Sequence, residues 1–164
     1  MNRAQRRHAP TAPKGRRVRY STRRNPVAIA VLKSTALSQM QALQTNAGVH
    51  SYIGGGWAEA INAIGRYLFV VNQAALDIGL NFDSAPAMRI ITGAASALGD
   101  VHACPAMFEQ QRQALIQGVQ AAAGLQPKLP IGALVMAAIK LDEMLASPAG
   151  LTLDDFTHVS KTEA

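Results

Sequence analysis

The sequence predicts an all-α protein, roughly a five-helix antiparallel bundle, preceded by a disordered basic arm. Its 164 residues include 30 alanines but only eight aromatic residues, and this composition suits close helix packing better than a β-sandwich. Apolar residues recur at steps of three and four in five segments that glycine or proline separates. No period of 20 to 50 residues repeats, so a solenoid is not expected.

Local signals set the predicted helix bounds. Proline suits the first turn of a helix, and glycine is common just past its end, so we expect Gly48, Gly79, Gly99 and Gly124 to end four helices. The predicted helices are Pro26 to about Thr45, Trp57 to Ile78, about Ala85 to Leu98, Pro105 to Gly124, and Ile131 to Leu145. Gly65, inside the second helix, indicates a close helix crossing.

Capping residues and apolar stripes support these helices. Asn25 is a good N-cap for the first helix, and either Asp83 or Ser84 can cap the third. The second helix has the most regular stripe and is expected to be central. Its stripe comprises Trp57, Ile61, Ile64, Leu68, Val71, Ala75 and Ile78. The fifth helix has a stripe made of Ile131, Leu134, Val135, Ala138, Leu141 and Leu145. After the fifth helix, Thr152 with Asp155 suggests a capped turn with apolar anchors at 153 and 156.

Charge is distributed very unevenly along the chain. The first 33 residues carry +10, no acidic residue precedes Glu59, and the remainder has six basic against ten acidic residues. A short basic segment with few apolar residues cannot bury enough surface to fold alone. We therefore expect a flexible arm at 1–24, one helical domain at 25–159 and a frayed tail at 160–164.

The arm is the candidate functional site, and nucleic acid is its expected partner. The predicted contact residues are Arg3, Arg6, Arg7, Lys14, Arg16, Arg17, Arg19, Tyr20, Arg23 and Arg24. Arginine outnumbers lysine eight to one in this segment, and its forked guanidinium suits phosphates, while one tyrosine could stack on an unpaired base. DNA is expected ahead of RNA. Anionic lipid, an acidic protein surface or no specific ligand remain alternatives, because charge alone selects polyanions.

No catalytic or metal-binding motif is found in the sequence, so neither an enzyme nor a cofactor is predicted. His102 and Cys104 could share a metal or form a base and thiol pair, but no third partner is placed near them. The adjacent acidic pairs at 142–143 and 154–155 point in different directions on a helix and suit solvated or capping charges. A DNA-reading helix is not expected, since the third helix offers only Arg89 and the fourth only Arg112.

Composition also limits location and assembly. The most apolar stretch after the N-terminal region, at 67–80, is interrupted by Asn72, Gln73 and Asp77, so no membrane span is expected. Cys104 is the single cysteine, which fits a reducing cytoplasm. Only 16% of residues are charged, so the domain is expected to bury much of its surface or to use it for a protein partner or a second copy.

Four segments carry a resemblance to a group of proteins. They are the Arg-Arg-Val-Arg-Tyr run at 16–20, the Gly-x-x-Trp-Ala-Glu-Ala-Ile-Asn run at 54–62, the helix end at 76–79 and the Lys-Leu-Asp-Glu-Met-Leu run at 140–145. Together they resemble small basic helical proteins encoded by phages and prophages of Gram-negative bacteria. The resemblance implies an accessory protein in the cytoplasm of a bacterial host and supplies no active site. A nucleic-acid-binding, regulatory role and a protein-interaction role, as an inhibitor or assembly factor, both remain open.

Overall fold

The structure is a computed structural model that describes residues 26–53 and 56–146, with the side chains of 33–52, 56 and 58–146. The described residues form five α-helices and two short 3-10 turns, and they contain no strand. The helices are α1 (Pro26–Ile53), α2 (Trp57–Asp77), α3 (Ala87–Ala103), α4 (Phe108–Leu125) and α5 (Ile131–Ala146). The predicted all-α, five-helix class is therefore confirmed. The capped turn predicted near residue 152 lies outside the described residues.

Helix α2 is the centre of the bundle, as its apolar stripe predicts. It packs against all four other helices. Every residue from 63 to 75 except Arg66 is buried, so burial extends far beyond the predicted stripe and includes Tyr67 and Phe69. A helix enclosed on all sides buries nearly its whole circumference, whereas a surface helix buries one face.

Two predicted helix ends are wrong because packing outweighs the helix-breaking tendency of glycine. Helix α1 continues through Gly48 to Ile53, and α3 continues through Gly99 to Ala103. Helix α4 ends at Leu125, one residue from its predicted end. A glycine in a helix costs about 0.5–1 kcal/mol relative to alanine. In α3, burial of Val101 after Gly99 can exceed this cost. In α1, the fully buried Ser51 donates its hydroxyl to the Gly48 carbonyl at 2.8 Å.

The turn before α3 also differs from the prediction. Neither Asp83 nor Ser84 caps the helix, whose N-cap is Pro86 without a side-chain hydrogen bond. Asn81 organises the turn instead, since its Oδ1 accepts the backbone N–H groups of residues 83 and 84 at 3.0 and 2.9 Å. This is an asparagine side chain bonding to the backbone just after it, a pattern that favours turns over helix.

Three glycines differ in backbone conformation and in the space beside their α-carbons. Gly79 has a φ of +81° just past α2, and its N–H donates to the Leu76 carbonyl at 2.9 Å, which ends the helix as predicted. Helices α3 and α4 approach each other closely at Gly118 of α4, where a β-carbon would collide with that of Ala94 on α3. At Gly65, where the sequence indicated a close crossing, a β-carbon would meet Leu98 Cδ1 at an ordinary 3.7 Å.

Candidate functional site

The ten residues predicted to contact nucleic acid, from Arg3 to Arg24, all lie outside the described residues, so their prediction stays a prediction. The first described helix, α1, begins at Pro26. Helix α1 has 28 residues and α2 has 21, so α1 is longer than α2 by about 10 Å at a rise of 1.5 Å per residue. Lys33 is exposed near the start of α1.

The described part of the bundle has nearly balanced charge. Its residues include six basic and seven acidic side chains. Two of the arginines are engaged within the fold: Arg89 lies 2.9 Å from Asp83, and Arg112 pairs with Glu109 and lies 5.5 Å from the Phe108 ring centre. These are the two arginines that the sequence analysis considered as possible base contacts on the third and fourth helices, and both have acidic partners.

A buried tyrosine links the central helix to the loop before α5. Tyr67 is fully buried in α2, and its hydroxyl donates to Gln126 Oε1 at 2.8 Å. Burial raises the pKa of Tyr67 above its ordinary value, because the phenolate would lose its hydration. The neutral phenol therefore acts as a structural hydrogen-bond donor in the core rather than as a proton-transfer group near neutral pH.

An apolar groove of about 440 Å³ lies between α1 and α5. Its walls are mainly apolar, with Met40 and Leu43 on α1 and Val135 and Ile139 on α5. Arg66 from α2 and Asp142 from α5 also line it, which places one basic and one acidic group at the groove. Both charged side chains are exposed, and the ion pairs among the described residues involve neither. Such a surface suits an amphipathic segment that carries charge as well as apolar side chains.

The cysteine and histidine that the sequence singled out lie at the C-terminal end of α3. Cys104 is exposed in the connection between α3 and α4, and His102 is exposed two residues earlier in α3. No group of three His, Cys, Asp or Glu residues in the described part of the chain could hold a metal ion. Among the described helices, none is long and apolar enough to cross a membrane.

Comparisons add no relatives: no protein-family model matches the chain, and no curated protein or solved structure is significantly similar to it. The groove was missed by reasoning from the sequence. Its signal was present in α5, where Met136 and Ile139 lie outside the predicted stripe and make the helix apolar on most sides. An apolar helix of this kind can be deeply buried or can expose a binding surface, and sequence periodicity does not distinguish the two.

Proposed function

We propose that this protein is a non-enzymatic accessory protein of phages or prophages that binds nucleic acid, DNA ahead of RNA, through its Arg-rich arm, with a regulatory role. The charge distribution carries the proposal. Nine of the sixteen basic residues lie in the first 24 positions, whereas the described bundle has six basic and seven acidic residues. Phosphate attraction would therefore come from the arm, and the near-neutral bundle would contribute little to it.

The arginines of the bundle helices also support the assignment of phosphate binding to the arm. A base-reading helix needs free polar and basic side chains along one exposed face. Arg89 and Arg112 are the single arginines of α3 and α4 and each lies beside an acidic residue, so neither helix has a basic face. We therefore expect binding to depend weakly on sequence and to use phosphate contacts or arginines in the minor groove.

Fluorescence anisotropy across a salt titration tests this proposal. The full-length protein is compared with a variant in which Arg16, Arg17, Arg19, Arg23 and Arg24 are changed to Gln, on labelled duplex DNA and single-stranded RNA. If all nine arm charges neutralise phosphates, log Kobs should fall with log salt at a slope of up to about −8 on duplex DNA. The five-site variant should lose roughly half of that slope.

A matched control removes charge from the bundle. Lys128 and Lys140 are both exposed, and the Lys128→Gln/Lys140→Gln variant should keep nearly all of the affinity and the salt slope. Absence of binding by the intact protein at low salt would refute the nucleic-acid proposal. Equal losses in the arm and bundle variants would refute the assignment to the arm.

A protein-interaction role is the second candidate, and the groove between α1 and α5 favours it. In this case the bundle would act as an inhibitor or assembly factor on a host or phage protein, with the arm docking on an acidic surface. A stoichiometric complex that survives nuclease treatment would support this role. Loss of the complex in an Ile139→Asp variant would place the partner at the groove.

A further inference from the structure

We propose that the groove between α1 and α5 is an intramolecular docking site, and that its occupant is the segment 151–159 of the same chain. This inference does not depend on nucleic-acid binding. The groove suits a ligand with apolar side chains, because Val135 and Ile139 on its α5 wall are 37% and 46% exposed. A groove lined by partly exposed apolar side chains can take an apolar ligand.

The α5 wall of the groove has the size of a single short segment. Helix α5 has 16 residues, which corresponds to about 24 Å, and a helix is about 10 Å wide. A face of these dimensions covers roughly 240 Å². Each partner in a standard protein interface buries about 800 Å², so the α5 wall would supply about a third of one partner's share, whereas one short amphipathic segment could cover it.

The chain that follows α5 has the required chemistry and reach. Leu153, Phe156 and Val159 recur every three residues, so in a helical turn they would share a face. The α5 residues that line the groove span 134–142, about 12 Å, and 151–159 spans the same length if helical. Residues 147–150, Ser-Pro-Ala-Gly, are a four-residue connection of the kind that joins neighbouring helices.

Tethering favours this occupant, and charge permits it. Asp154 and Asp155 interrupt the apolar positions of the segment, and the groove is lined by one basic residue, Arg66, and one acidic residue, Asp142. An acidic side chain of the segment could therefore meet Arg66 at the groove edge if it lies away from Asp142. A linker of four residues also gives the segment an effective concentration in the millimolar range, so even a weak contact would be occupied most of the time.

Disulfide trapping in the full-length chain tests the proposal. In a Cys104→Ser background, the pair Ile139→Cys/Phe156→Cys is compared with Ile90→Cys/Phe156→Cys. Ile90 on α3 is a matched control because it is also 46% exposed, and α3 takes no part in the groove. Under mild oxidation the Ile139 pair should form an intrachain disulfide at least about tenfold faster than the Ile90 pair, since bonding requires close approach.

A second comparison detects the apolar contact without new cysteines. Phe156→Asp should lower the urea midpoint of unfolding and raise the fluorescence of a dye that binds exposed apolar surface, whereas Thr157→Asp should change neither. The proposal requires both results. Equal trapping rates for the two cysteine pairs would overturn it, as would a covalent dimer from the Ile139 pair, which would assign the groove to a second copy. Identical behaviour of the two Asp variants would also overturn it.

Discussion

Helices α2 and α5 are both rich in apolar residues, yet they have different positions in the bundle. Helix α2 buries twelve of the thirteen residues from 63 to 75, including the polar pair Asn72 and Gln73. Helix α5 has a higher share of apolar residues, yet only Leu134, Ala137 and Leu141 are buried. Burial therefore depends on how many neighbours surround a helix, and apolar content alone does not set it.

The largest expected effect separates the two helices directly. Ile64 on α2 is fully buried, whereas Ile139 on α5 is 46% exposed. Ile64→Ala should lower the free energy of unfolding by about 2–5 kcal/mol, since it deletes buried methyl groups and leaves a cavity. Ile139→Ala should lower it by about 1 kcal/mol at most. Urea unfolding of both variants measures the contrast, and similar losses would show that α5 is as enclosed as α2.

The next effect concerns how closely the helices around α2 approach one another. Gly118→Ala should destabilise the protein by about 1–3 kcal/mol, because the new methyl group collides with Ala94 and the helices must move apart. Gly65→Ala in α2 is the matched control, with space for a methyl group beside Leu98. It should be neutral or stabilising by up to about 1 kcal/mol. Thermal unfolding measures both variants, and a reversed order would show that the close crossing lies at α2.

The smallest effect concerns the polar contact within the α2 core. Tyr67→Phe removes the hydrogen bond to Gln126 and should lower the free energy of unfolding by about 1 kcal/mol. Burial raises the pKa of Tyr67 in the folded state, so above about pH 10 the unfolded chain releases this proton first. Stability should therefore fall as pH rises above this value. Tyr67→Phe should reduce that fall, and an identical pH profile in the variant would contradict the structural role.

Of the two candidate sites, the sequence predicts the arm but not the groove. The arm follows from composition, because nine basic residues without a nearby acid are visible in the sequence, but its contacts depend on a partner. The groove escaped prediction because two helices that are distant in sequence form its walls. Val135 illustrates the difficulty: periodicity placed it in the buried stripe of the fifth helix, but it is 37% exposed and lines the groove.

Local chemistry was enough to determine the all-α class, the five helices and most of their starts. Proline and glycine act on the backbone of their own residues, so Pro26 and Gly79 mark a helix start and a helix end without help from the rest of the chain. Tertiary packing decided where α1 and α3 end and which side of α5 stays exposed. The physical reason is one of magnitude, because a helix-interior glycine costs at most about 1 kcal/mol. Burying one large side chain is worth about 1.5–3 kcal/mol and depends on neighbours that local sequence does not reveal.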